Sequence, residues 1–200
     1  MISLVVLRLR GGGYPRYILD KAAHLDNDHE YSEEKFYPLY NKILQYWFPA
    51  ADGYDVCPQW IIPGSDTHTN VREDYTFAFV IEHHQDQPLL LLEVKPPSGL
   101  QVRGYRNAAH SQIQCRLDKI GLANQHAERL YAISAFGKKW RTSYVAKGKG
   151  INSGRAVKDI GAVTSFTSSD PDCWNPDITS DASYEVLHKI VDTIKGYITT

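Results

Sequence analysis

Two acids and a lysine stand at the ends of two neighbouring apolar runs in the chain. Asp74 opens the first run, and Glu93 and Lys95 close the second. Side chains alternate along a strand, so Glu93 and Lys95 project to one face while Val94 turns to the other. If the two runs pair as a hairpin, Asp74 lies near the strand end that carries Glu93. Two carboxylates and an ammonium at one spot suit a divalent metal beside a phosphodiester.

Regular spacing of apolar residues predicts the elements that must hold these side chains. Helical periodicity indicates helices over 32–48, 103–124 and 182–198, and Ser180 or Asp181 can cap the last one. Alternating or continuous apolar runs bounded by turn residues predict strands over 54–62, 75–83, 89–94, 129–136 and 140–145. The unbroken leucines of 89–92 predict a strand that is covered on both faces.

Composition restricts the class of protein more than its activity. The chain has 200 residues and a net charge of −1, which suits one globular domain and gives no general attraction to nucleic acid. Cys57, Cys115 and Cys173 have no zinc spacing, so free thiols in a reducing compartment are expected. There is no apolar run of membrane-spanning length, and residues 1–7 are too short for a signal peptide. The expected location is intracellular, in the cytoplasm or nucleus.

The predicted elements follow the order helix, strand, strand, strand, helix, strand, with Asp74 on the second strand and Glu93-Val94-Lys95 ending the third. This arrangement resembles the PD-(D/E)xK phosphodiesterase superfamily. The resemblance covers about residues 32–145 of a single predicted domain, residues 14–200. It implies an α/β (α+β) fold of the restriction-endonuclease-like type. That fold has an αβββαβ core and a mixed central sheet flanked by helices, to which this chain adds a C-terminal helix. The chain departs from the motif at Glu73, where the superfamily often has proline.

The resemblance implies a set of catalytic and metal-binding residues. Asp74 and Glu93 would bind Mg²⁺ or Mn²⁺ together with the Val94 carbonyl, because hard cations take oxygen ligands. Lys95 would orient or deprotonate the attacking water, and Gln112 on the following helix would hydrogen-bond that water or Lys95.

Further residues are candidates for supporting roles. Glu34, or its neighbour Glu33, could supply another metal ligand from the first helix, and Arg116 could reach a phosphate. A basic hairpin could follow a nucleic-acid backbone, with Trp140 and Tyr144 available for stacking. Its predicted contact residues are Lys138, Lys139 and Arg141.

Each of these assignments has a structural alternative. Glu93 and Lys95 could be an ion pair at a surface strand end, although the preceding leucines favour a central strand. Gln112 and Arg116 could lie on a solvated helix face, and the basic hairpin could be an ordinary solvated turn. At the level of function, the alternatives to a nuclease are an inactive nuclease-like binding module and a fungal effector or toxin domain. A homodimer is compatible with the resemblance.

Two other similarities concern the source and the N-terminus. Short segments such as 92–96 and 134–137 are similar to uncharacterised proteins of mushroom-forming fungi. Residues 1–13 contain LRLRGG, the ending of ubiquitin, and are interpreted as the remnant of a ubiquitin-like header that a deubiquitinase could cut after Gly12. The alternative is a short glycine-ended strand that matches by chance.

Overall fold

A five-stranded mixed sheet forms the centre of the protein. The computed structural model describes residues 13–25, 32–61, 76–83, 87–123, 128–146 and 171–198, and within them the strand order is β1-β2-β3-β4-β5. The strands are β1 (Tyr54–Ile61), β2 (Thr76–His83), β3 (Gln87–Lys95), β4 (Arg129–Phe136) and β5 (Lys139–Ala146). Neighbouring strands are antiparallel except β3 and β4, which are parallel. The predicted β2–β3 hairpin is therefore confirmed.

Helices cover both faces of this sheet. They are α1 (Arg16–Ala23), α2 (Tyr37–Trp47), α3 (Arg103–Ala123) and α4 (Asp181–Gly196). Parallel strands need a crossover connection, and α3 supplies it between β3 and β4. The side chain of Ser180 accepts a hydrogen bond from the Ser183 backbone N–H and caps α4. The α/β class, the mixed sheet with flanking helices and the extra C-terminal helix are confirmed.

Strand β3 is buried from both sides, as its leucine run predicts. Leu90, Leu92 and Val94 pack in the cluster built with α1, α2 and α4. Leu91 faces the other way, into a second cluster with the α3 residues Ile113, Leu117 and Ile120. Alternation along β3 therefore turns Glu93 and Lys95 towards the α3 side of the sheet, away from Val94.

Among the described residues, helix α1 and the 3-10 turns Ala50–Asp52, Pro97–Gln101 and Pro171–Trp174 were not predicted, and one predicted helix is divided. The sequence gives little signal for helix α1, because only Ile18 and Ala22 of its eight residues are buried. The 3-10 turn Pro171–Trp174 has no periodic pattern, yet Trp174 is fully buried. The predicted helix over 32–48 begins as a separate 3-10 turn, Glu33–Lys35, before α2.

Some sequence-based predictions fall outside the described residues. These are the ubiquitin-like tail up to Gly12 and the candidate metal ligand Asp74. Strand β2 begins two residues after Asp74 in the sequence. Among the helices that the structure describes, none combines the length and the apolar character that crossing a membrane requires.

Candidate active site

A buried carboxylate held between two cations forms the centre of the site. Glu93, near the end of β3, is only 5% exposed. The Lys95 Nζ lies 2.7 Å from Glu93 Oε1, and a guanidinium nitrogen of Arg116 lies 2.5 Å from Oε2. Lys95 reaches Glu93 because both side chains leave the same face of β3, and Arg116 reaches it because α3 packs on that face. Glu93 is therefore not part of a solvated strand end.

Charge and burial decide what this cluster can do. Moving a carboxylate out of water costs on the order of several kcal/mol, so Glu93 needs both of its cationic partners. The Arg116 side chain is 5% exposed, whereas the Lys95 side chain is 26% exposed. Arg116 is thus fixed in the interior, while Lys95 borders solvent and can turn to another anion. Together the three side chains carry one net positive charge.

A second acid lies beside this cluster. Glu33 is half-buried and accepts a hydrogen bond of 3.0 Å from the Tyr37 hydroxyl. Burial raises the pKa of Glu33 above its usual range, and the charge of Glu93 adds to this rise. The nearby charge of Lys95 and the Tyr37 hydrogen bond oppose it. Glu34 instead is exposed, and a hydrogen bond with Ser32 lowers its pKa. Of the two acids, Glu33 is the one that senses Glu93 and Lys95.

Gln112 lies on α3 between Ala109 and Arg116. Ala109 is buried in the cluster that contains Phe136, which pairs with Lys95 across β3 and β4. Arg116, one turn beyond Gln112, reaches Glu93. The Gln112 Oε1 is buried and has no hydrogen-bond partner among the described residues. An unsatisfied buried carbonyl is costly, so this oxygen is available to a donor that enters the site.

A row of polar residues extends the site across the sheet, and two of its members, Ser134 and Trp174, were not predicted from the sequence as parts of the site. Glu93 pairs with Ser134 on β4, and Ser134 pairs with Arg141 on β5. Trp174 covers the row: its Nε1 donates to the Ser134 hydroxyl at 3.3 Å, and its ring lies 3.6 Å from the Arg141 guanidinium carbon. The available sequence signal was the serine among the largely apolar residues 130–136 of β4.

Arg141 is buried and does not offer its guanidinium to a nucleic-acid backbone as predicted from the sequence. Its Nη2 lies 2.8 Å from His110 Nδ1. Burial lowers the pKa of Arg141 to about 9. Burial, with the Arg141 charge adding to it, lowers the pKa of His110 to about 4. A guanidinium can only donate, so His110 is a neutral imidazole that accepts at Nδ1.

The other residues of the predicted basic hairpin are engaged within the protein. Lys138 Nζ lies 3.5 Å from an Asp177 carboxylate oxygen, and Lys139 Nζ donates to the Asn175 carbonyl at 2.9 Å. The Trp140 ring is buried, so it has no open face on which a base could stack. This hairpin ties β5 to the segment that precedes α4.

The described residues around Glu93 offer oxygen donors of the kind that hard divalent cations take, but too few acids to hold one by themselves. Glu93 and Glu33 offer carboxylate oxygens and Gln112 an amide oxygen, which are the ligands that Mg²⁺ and Mn²⁺ prefer. Among the residues that the structure describes, no three acidic, histidine or cysteine side chains form a group that could hold a metal. A third carboxylate would have to come from Asp74, which lies outside those residues. A metal at Glu93 would compete with Lys95 for Oε1, since Arg116 is fixed on Oε2.

Comparisons with known proteins give one distant similarity. No protein-family model matches the chain, and no curated protein matches it. Among solved structures, the type IIG restriction endonuclease BpuSI is similar with 14% sequence identity and a TM-score of 0.46. The match covers 86% of this chain and 18% of the length of that enzyme.

Proposed function

We propose that the protein is a metal-dependent nuclease that hydrolyses phosphodiester bonds of DNA or RNA. The observation that carries the proposal is the buried Glu93 carboxylate, which shares one strand face with Lys95 and has Glu33 beside it. Keeping a charged carboxylate buried lowers the stability of the fold. A site with an anion, a mobile cation and further oxygen donors can bind a metal and a phosphate together.

Glu93 and Asp74 would hold the metal with the Val94 carbonyl, and Glu33 would take the additional role first assigned to Glu34. When bound, Mg²⁺ or Mn²⁺ supplies an activated water and neutralises charge on the phosphate. Burial raises the pKa of Glu33, and a neighbouring positive charge such as that of Lys95 opposes the rise, so a bound cation would favour its charged form.

The remaining roles belong to the chain itself. Arg116 would keep Glu93 Oε2 in place, so that Glu93 presents Oε1 to the open side of the site. Lys95 would leave Oε1 and turn to the phosphate and the water, where its charge stabilises the anionic transition state. Gln112 would accept a hydrogen bond from that water through its buried oxygen. Arg116 is thereby a positioning residue, not the phosphate contact expected from the sequence.

Cleavage assays with matched variants test the proposal. Purified protein should cut at least one substrate in a panel of single-stranded, duplex and hairpin DNA and RNA when Mg²⁺ or Mn²⁺ is added, and should be inactive in EDTA. Lys95→Met, Glu93→Gln and Asp74→Asn should each lower the rate by about 100-fold or more. Lys195→Met is the control, because Lys195 lies on α4 and pairs with Asp52. Absence of metal-dependent cleavage throughout the panel would refute the proposal.

One observation favours a second candidate function, an inactive nuclease-like binding module. Both oxygens of Glu93 already have cationic partners, so the cluster is electrostatically satisfied without a metal. Calorimetry separates the two functions, since a binding module would take up no Mn²⁺ at concentrations that saturate nuclease sites. An effector or toxin role would use the same chemistry, and its toxicity in cells would be lost in Lys95→Met.

A further inference from the structure

The segment that follows the site is basic and free of acids. From Lys95 to Leu117 the chain has four lysine and arginine residues and no aspartate or glutamate, in a protein whose net charge is −1. Arg106 and Arg116 of this segment are buried. Lys95 is partly exposed and Arg103, the first residue of α3, is exposed. The exposed Arg103 and the net positive charge of the Glu93–Lys95–Arg116 cluster therefore favour an anionic partner here.

An exposed aromatic residue lies in the same segment. Tyr105 is 62% exposed and Val102, three residues before it, is 47% exposed. Among the described residues, large hydrophobic side chains that are exposed occur only here and on α1. We call Val102, Arg103 and Tyr105 the α3 platform.

Close packing fixes the α3 platform next to the site. A Cβ atom built on Gly99 would lie 2.9 Å from the Phe136 ring and 3.5 Å from the Tyr105 Cβ, so only glycine lets this turn approach β4 so closely. Phe136 is the residue that pairs with Lys95 across β3 and β4. Tyr105 is thus anchored to the strand end that carries the candidate catalytic lysine.

We propose that the α3 platform binds an unpaired segment of nucleic acid that leads into the Glu93–Lys95 site. One base stacks on the Tyr105 ring beside Val102, and Arg103 contacts the backbone phosphates. Every base has a face that can stack on an aromatic ring, and this contact requires a base that is not already stacked in a duplex. The inference rests on the proposed function and narrows its substrate class to single-stranded or locally unpaired nucleic acid.

Binding measurements without metal test the α3 platform apart from cleavage. Fluorescence anisotropy in EDTA compares a labelled single-stranded oligonucleotide with the duplex of the same sequence. Tyr105→Ala should weaken binding of the single strand about 10-fold and leave the duplex affinity unchanged. Tyr105→Trp should keep or improve the affinity. Tyr17→Ala is the matched control, because Tyr17 is 50% exposed on α1 and should not affect binding.

The outcomes separate this inference from the proposed function. The α3 platform would be overturned if wild type and Tyr105→Ala bound the single strand equally well, or if no oligonucleotide bound at all. It would also be overturned if Tyr17→Ala lost as much affinity as Tyr105→Ala, or if Tyr105→Ala lost as much affinity for the duplex as for the single strand. A selective loss in Tyr105→Ala would support it even if no metal-dependent cleavage were found, in which case only the proposed catalysis fails. If metal-dependent cleavage were found but Tyr105→Ala left binding unchanged, the α3 platform would fail and the proposed catalysis would stand.

Discussion

Glu93 determines the electrostatics of the site because its charge is held inside the protein. Its two cationic partners differ in character: Arg116 is fixed on a helix and buried, and Lys95 borders solvent. Loss of a partner leaves a buried charge without compensation, which is more costly than the loss of the whole pair. The cluster should therefore respond to single and double substitutions in a characteristic way.

The Glu93–Arg116 pair should show strong energetic coupling. Arg116→Met should lower the free energy of unfolding by about 3 kcal/mol, and the Glu93→Gln/Arg116→Met double variant should lose about 1–3 kcal/mol less than the sum of the single changes. Urea denaturation of the four proteins measures the coupling. Arg106, a buried arginine of the same helix that donates to the Leu100 carbonyl, is the control, and its pairing with Glu93→Gln should be additive. Additivity for Arg116 as well would contradict the buried ion cluster.

His110 should make stability depend on pH. Its pKa is lowered to about 4 in the folded protein from the ordinary value of 6.5. Between these values the unfolded chain binds the proton and the folded protein does not, so the His110 contribution is complete above about pH 6.5 and is lost as the pH falls towards 4. In His110→Asn the side-chain oxygen can still accept from Arg141 but does not titrate. Urea denaturation at pH 7 and pH 5 should show a smaller loss for this variant than for wild type, and an equal loss would contradict the assignment.

The elements of the core could be predicted from the sequence because their apolar patterns are strong. β3 and β4 each bury nearly every residue, and α4 has a cap and a regular apolar stripe. The pairing of Glu93 with Lys95 followed from alternation alone. The role of Arg116 did not, since it depends on how α3 is rotated on the sheet. Trp174 could not be placed either, because it belongs to a segment with no periodic pattern that folds over β4 by tertiary contacts.

The turn between β4 and β5 connects these elements to the site. Gly137 has φ +59°, its N–H donates to the Lys95 carbonyl at 2.9 Å, and its carbonyl accepts from the Tyr40 hydroxyl at 2.8 Å. A Cβ atom at this position would lie 3.0 Å from Pro97. Both the left-handed backbone and the close contact exclude a side chain.

Gly137→Ala should therefore lower stability by about 2 kcal/mol, since a left-handed conformation costs a non-glycine residue about 1–2 kcal/mol before the contact is counted. Gly104→Ala is the control. Gly104 lies in α3, where an added Cβ would have no neighbouring atom within 4 Å, and the substitution should be neutral or stabilising by up to about 1 kcal/mol. Thermal unfolding of both variants checks this. A Gly137→Ala protein as stable as wild type would show that the turn tolerates a side chain.

At the scale of the whole molecule, the apolar core and the candidate site occupy different parts of β3. Two apolar clusters on opposite faces of the sheet hold β3, and the site lies at the end of that strand. The net charge of −1 provides no general attraction to nucleic acid, so local features such as the acid-free segment around α3 would have to provide it. Removal of metal should therefore affect the site and leave the fold intact.

Crystals soaked in Mn²⁺ would show whether the Glu93 carboxylate is a metal ligand, as the proposed function requires. An anomalous density peak is expected at about 2.1 Å from Glu93 Oε1, with Lys95 Nζ displaced from that oxygen and Arg116 still on Oε2. A Glu93→Gln crystal treated in the same way should show no such peak. Wild-type crystals that at saturating Mn²⁺ keep Lys95 on Oε1 and have no peak beside Glu93 would show that Glu93 does not bind the metal.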